Sequence, residues 1–91
     1  MDVEKRAAII TGGGTGIGRA TALQLAQRGC AVAVNYSRSA DAAEQTADEA
    51  RQLGVEAIAV QGDVASDDDC RAVVAAATDA FGRVDVLVNS A

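Results

Sequence analysis

The chain has 91 residues, enough for about one small domain with a thin core, and 49% of them are apolar, with alanine and valine dominant. Its formal net charge is -5, with no basic run longer than Lys5-Arg6, which argues against a nucleic-acid partner. Histidine is absent, so the commonest metal ligand and acid–base group is missing, and no metal site is expected.

Met1 to Arg6 carries charges of both signs, and only four apolar residues follow before the glycines. That is too short for a signal peptide or a membrane span, so a cytoplasmic protein without a membrane partner is expected. Ala7 to Ile10 reads as a buried strand. Gly16 to Arg28 reads as a helix, stopped by Gly29. Ala31 to Tyr36 is a second strand, rich in valine. Ser39 can cap a second helix running to Leu53, stopped by Gly54, with an apolar stripe of Ala43, Ala47, Ala50 and Leu53. Glu56 to Gln61 is a third strand. Ser66 can cap a third helix reaching Phe81 before Gly82. Its stripe is Cys70, Val73, Val74, Ala77 and Phe81. Val84 to Asn89 is a fourth strand.

The order β-α-β-α-β-α-β predicts an α/β fold, a doubly wound parallel sheet with right-handed crossovers and strand order 3-2-1-4. Residues 1–91 then form the N-terminal part of a single Rossmann-like domain, truncated after the fourth strand. The edge strand, with Val84, Val86, Leu87 and Val88 partly uncovered, supports the expectation of a longer domain. Cys30 and Cys70 show no C-x-x-C spacing and read as small core residues in a reducing cytosol.

Between the first strand and helix lie five glycines in seven positions, Gly12 to Gly18. A phosphate needs backbone N–H donors and positive potential with no side chain in the way, and a helix start supplies both. The strict G-x-G-x-x-G spacing does not fit, because its third position falls on Ile17 or Arg19. A nucleoside-triphosphate loop also fails, since Arg19-Ala20 replace the required Lys and Ser/Thr. A plain flexible turn is the bland alternative, and it leaves the density of glycine unexplained.

Thr11-Gly12-Gly13-Gly14-Thr15-Gly16-Ile17-Gly18 resembles the T-G-x-x-x-G-[IL]-G motif of the short-chain dehydrogenases/reductases. Gly62-Asp63-Val64 looks like that family's Asp-Val facing the adenine ring. Val88-Asn89-Ser90-Ala91 resembles its N-N-A-G motif, departing at Ser90. The resemblance spans the whole chain. It implies that Gly12, Gly14, Thr15, Gly16, Ile17 and Gly18 bind the cofactor pyrophosphate. It also implies that Asp63 accepts from the adenine amine, that Val64 gives a backbone donor, and that Asn89 and Ala91 line the same site.

The charges near the second strand bear on the choice of cofactor. NAD binding wants a carboxylate about 20 positions after the glycines. Here Asn35-Tyr36-Ser37-Arg38-Ser39 offers none before Asp41. Ser37 and Arg38 would attract the 2′-phosphate of NADP, so NADP(H) is favoured over NAD(H). Arg19 reads equally as a phosphate contact or a solvated residue. Tyr36 reads as packing near the adenosine pocket. Asp67-Asp68-Asp69 reads as the acidic first turn of a helix, with Ser66-x-x-Asp69 resembling a capping box.

The resemblance implies an NAD(P)-dependent oxidoreductase that reduces a carbonyl or oxidises an alcohol by hydride transfer. A 3-oxoacyl reductase-like or glucose dehydrogenase-like member is expected, acting on a small-molecule substrate and forming a homo-oligomer, a tetramer, when full length. The family's proton donor is a tyrosine four residues before a lysine, whereas Tyr36 has Ala40 at that distance. No catalytic residue is therefore assigned in this chain, which would hold the adenosine and pyrophosphate half of the cofactor. The alternatives are a non-catalytic nucleotide-binding module and an inactive truncated product.

Overall fold

A computed structural model describes residues 6–12 and 14–90. Seven elements follow one another: β1 (Ala7–Thr11), α1 (Gly16–Gln27), β2 (Ala31–Tyr36), α2 (Ala40–Gln52), β3 (Ala57–Gln61), α3 (Asp67–Phe81) and β4 (Val86–Asn89). The strands lie in the order β3-β2-β1-β4, and every pairing is parallel. The predicted architecture and strand order are therefore the observed ones. The registers place Thr11, Asn35 and Asn89 level at one end of the sheet, where all four strands deliver their carboxyl ends. In open α/β sheets that edge is where ligands bind.

Consecutive strand residues point to opposite faces, and helices cover both faces of the central strands β1 and β2. Ile10, Val32 and Val34 pack with Ala22 and Ala26 of α1 and with Ala43, Ala47 and Ala50 of α2. Ile9 and Ala33 face the other way, onto Val73 and Ala77 of α3. Alanine is the helix side of most of these contacts, and its small volume lets the helices sit close to the sheet.

Local capping explains where the elements stop. Ser66 accepts a hydrogen bond from the Asp69 N–H at 3.3 Å and caps α3. At the other end Gly82 takes φ 80° and its N–H donates to the Thr78 carbonyl at 2.7 Å, a left-handed cap open to glycine.

Several expectations are corrected. Ser39 occupies the N-cap of α2, but its side chain makes no capping bond. Leu53 lies just past the last turn of α2 and is 46% exposed, because the chain has already left the packed face. The buried stripe instead contains Thr46. On α3, Val73 and Ala77 are buried, while Val74 is exposed and Cys70 half-buried. Both flank a groove of about 190 Å³ bordered by Val64, Leu87 and Asn89. Cys30 is buried as expected, both cysteines are free, and burial pushes the Cys30 thiol up. Strand β4 begins at Val86 rather than Val84, and β3 at Ala57 rather than Glu56. Among the described residues no helix is long and apolar enough to cross a membrane, and no group of His, Cys, Asp and Glu could hold a metal ion.

Candidate functional site

The site is built where β1 ends and α1 begins. Thr11 closes β1 as a buried residue whose hydroxyl donates to Asn89 Oδ1 at 2.9 Å, tying β1 to β4. The Ser90 N–H donates back to Thr11 Oγ1 at 3.2 Å, and the Ser90 hydroxyl donates to the Thr11 carbonyl. These bonds fix the floor from which the glycine turn rises.

The turn leaves no room for side chains at its base. A Cβ on Gly18 would overlap the Gly12 carbonyl oxygen and come within 2.5 Å of Ser90 Oγ. One on Gly14 would lie 3.1 Å from the Ala43 backbone nitrogen. Gly16 opens α1 at φ 58°, in the left-handed region, with open space around its Cα. Ile17 is 79% exposed, an apolar side chain beside the turn.

Among the described residues, no side chain caps the amino end of α1. Thr15 stands at its N-cap in extended conformation without a side-chain capping bond, and no acidic residue lies in the first turn. The first N–H groups of a helix have no intrahelical acceptor, and the helix dipole makes them positive. An anion is the group they fit. The contrast with α3 is direct: its first turn carries the Ser66 cap and Asp67, Asp68 and Asp69, and it offers nothing to an anion.

Beside this helix end lies a cleft of about 260 Å³ lined by Gly12, Gly14, Thr15, Tyr36, Ser37, Arg38 and Ser39. The structure thus brings the glycine turn together with the residues following β2. Tyr36 is half-buried there, packed against the core. The ion pairs among the described residues engage Arg6, Arg19, Arg51, Arg71 and Arg83, and none places a carboxylate on Arg38.

Arg19 follows neither expected course. It forms an ion pair with Glu49 across α1 and α2. The hydrogen bond from Arg19 holds the Glu49 carboxyl below the usual carboxylate range. The guanidinium is therefore committed to a helix–helix contact.

Asp63 and Val64 stand apart from the cleft. Asp63 Oδ1 accepts from the Ala65 N–H at 2.9 Å and its carbonyl from the Ser66 N–H at 2.8 Å, a turn lead-in to α3. Asp69 Oδ2 accepts from the Asp63 N–H at 2.8 Å, so Asp69 closes this turn instead of completing a capping box. Val64 borders the groove shared with Leu87 and Asn89. Ala91 lies outside the described residues, as does Gly13.

One positioning residue escaped sequence reasoning. Asn35 is buried, and its side-chain amide donates to the Val60 and Gly62 carbonyls, each at 3.2 Å. It holds the end of β3 against β2. A buried polar residue in a valine-rich strand was the available signal. Gly62 completes the fit, since a Cβ there would meet Val73 Cγ2 at 2.7 Å.

Comparison with known proteins gives one answer. A family model described as short chain dehydrogenase matches residues 6–91. The chain is 46% identical to "Short-chain dehydrogenase/reductase homolog YusS" of Bacillus subtilis over all of its length and 84% of that protein. It is also 46% identical to "3-oxoacyl-[acyl-carrier-protein] reductase FabG" of Staphylococcus epidermidis, covering 94% of this chain but 35% of the reductase. Among solved structures, the hydroxysteroid dehydrogenase of Escherichia coli superposes with a TM-score of 0.88 at 40% identity, over 96% of this chain and 37% of that one. The chain thus spans about a third of the length of the latter two.

Proposed function

The chain belongs to the short-chain dehydrogenase family, and from that membership we propose that it is the N-terminal, cofactor-holding part of an NAD(P)(H)-dependent oxidoreductase, a single Rossmann-like unit over residues 1–91 with NADP(H) preferred. The observation that carries the reading is the uncapped amino end of α1 opening onto a cleft that also contains Ser37 and Arg38. When bound, the nicotinamide supplies the hydride for reducing a carbonyl or accepts one from an alcohol. Every role left to this chain is one of binding and orientation.

Gly12, Gly14, Thr15, Gly16, Ile17 and Gly18 hold the pyrophosphate, through backbone N–H groups that no side chain obstructs. Ser37 and Arg38 take the 2′-phosphate, where a planar guanidinium that is in no ion pair among the described residues makes two charge-assisted bonds. Asp63 and Val64 receive the adenine, and Asn89 and Ala91 line the path toward the nicotinamide. No proton donor is assigned here: the sequence contains one tyrosine, Tyr36, and it stands in the adenosine-side cleft. The protein is proposed to work in the cytoplasm as part of a homo-oligomer, on a small carbonyl or alcohol substrate. The FabG and hydroxysteroid dehydrogenase relatives support that substrate class through their names.

A second reading, a nucleotide-binding module without catalysis, draws on YusS, 84% of which is matched by these 91 residues. Calorimetric titration with NADPH, NADH and ATP tests both. Binding of NADPH ahead of NADH, with ATP inert, supports the dinucleotide site. Absence of NADPH binding by a folded sample overturns it. Oxidation of NADPH in the presence of ketones by this chain alone would overturn the assignment of purely binding roles.

A further inference from the structure

Thr46 is a fully buried hydroxyl in the middle of α2, among alanines, and the cofactor reading gives it no role. Its Oγ1 lies 3.0 Å from the Ala42 carbonyl, one turn back, and 3.4 Å from the Gly14 carbonyl in the glycine turn. The single hydroxyl proton has both acceptors within reach, the Ala42 carbonyl being the nearer. Arg19 Nη1 donates to the same oxygen at 3.5 Å, while its guanidinium pairs with Glu49 one turn further along α2. A second, steric observation points to the same contact. A Cβ on Gly14 would lie 3.1 Å from the Ala43 nitrogen and 3.3 Å from Ala42 Cβ. The turn therefore rests directly on the first turns of α2, with glycine as the spacer.

We propose that Thr46 is a positioning residue for the dinucleotide: its hydroxyl latches the Gly14 carbonyl to α2 and so sets the distance between the pyrophosphate cradle and Ser37–Arg38. The inference rests on the cofactor reading above. Ser37 and Arg38 lie immediately before α2, so one rigid helix carries both anchor points for a single ligand. A ligand that spans both anchors gains from their fixed separation, because no ordering of the turn is left to be done on binding. A ligand that uses only the second anchor does not. That difference separates the latch from a merely structural buried threonine.

The test compares NADPH, which spans both anchors, with 2′-AMP, which reaches only the Ser37–Arg38 end. Thr46→Val keeps the shape of the side chain and removes the bond. It is expected to weaken NADPH about tenfold, the effect of one lost hydrogen bond, and to move 2′-AMP by less than about twofold. Thr46→Ser should restore NADPH binding. Without any ligand, hydrogen exchange at the Gly14 to Gly18 amides should speed up in Thr46→Val while the amides of α3 stay unchanged. If Thr46→Val does not fold, Thr46→Ala, which suits the alanine-rich stripe of α2, carries the same comparison. Equal NADPH affinity in Thr46→Val and wild type overturns the latch. So does a parallel loss of both ligands, a failure of Thr46→Ser to rescue, or unchanged exchange in the turn. A wild-type chain that binds neither NADPH nor 2′-AMP overturns the cofactor reading instead, and the exchange experiment still decides whether the latch holds the turn.

Discussion

Ala7 and Asp85 exchange two hydrogen bonds across the bottom of the sheet. The Asp85 N–H donates to the Ala7 carbonyl at 2.9 Å, and the Ala7 N–H donates to Asp85 Oδ2 at 2.9 Å. The same carboxylate takes a forked pair of bonds from Arg83, both 2.7 Å, and faces Arg6 at 3.5 Å. These donors all favour the ionised form. The Arg83 bonds lead, the Ala7 N–H follows, and together they hold the Asp85 pKa at about 2.

The sign of the pH effect follows from that depression. A carboxyl whose pKa is lower in the folded chain stabilises the fold above its unfolded pKa of about 4. This contribution is lost as the pH falls from about 4 toward about 2. Asp85→Asn should therefore be less stable than wild type at pH 7, with the gap shrinking below pH ~4. Urea midpoints measured from pH 7 to pH 2 check this, and a gap that stays constant contradicts it.

The cap of α3 gives a stability prediction that needs no ligand. Ser66→Ala removes the acceptor of the Asp69 N–H, at a cost of about 1 kcal/mol. In a domain this small, thermal melting should fall by roughly 4–8 °C. Circular dichroism reads it, and an unchanged melting temperature contradicts the cap.

Two neighbouring glycines should respond differently to alanine. At Gly18 the new methyl strikes the Gly12 carbonyl, a backbone atom with no easy retreat. Gly18→Ala should displace the turn, destabilise by about 1–3 kcal/mol and abolish NADPH binding. Gly16 has open space around it, so alanine there meets only the backbone strain of φ 58°, about 1 kcal/mol. Equal behaviour of the two variants in titration and melting would contradict the packing described for Gly18.

On the proposed reading, cofactor choice turns on Arg38. Arg38→Asp replaces a cation by a carboxylate that repels the 2′-phosphate and accepts from ribose hydroxyls. The ratio of NADPH to NADH affinity should fall by about tenfold or more, the effect of losing a charge-assisted bond. An unchanged ratio would show that Arg38 does not read the 2′ position.

The strand order was legible because short valine- and alanine-rich runs alternate with longer helical stripes, a pattern that physical rules connect to one topology. The same stripes misplaced Leu53 and Val74. Helical periodicity assigns residues to a face but cannot say where a neighbouring element ends. Leu53 falls beyond the last turn of α2, and Val74 faces the flank beside β4. The glycine turn and the Ser37–Arg38 pair, both read from local chemistry, come together at one cleft. The commitment of Arg19 to Glu49 and of Asp69 to the Asp63 N–H was not legible. Both depend on distances between elements, and each residue had an equally reasonable local partner. Thr46 was invisible for a related reason: a polar residue on an apolar stripe looks like a flaw until its acceptor, Gly14, is seen in space.

The pairing of β1 has a consequence for the order in which the molecule is assembled. Ala8 meets Val32 on one side and Val86 on the other. The first partner comes after a single crossover through α1, a much shorter loop closure than the one that brings β4 to β1. The second lies almost a full chain length away, so β4 makes the longest closure in the sheet and is expected to join last. Until it does, one edge of β1 stays unpaired, and Thr11 lacks the Asn89 partner that levels the floor of the glycine turn. The bond between Thr11 and Asn89 therefore ties the first described strand to the last, and the candidate site is complete only once the most distant pairing of the sheet has formed.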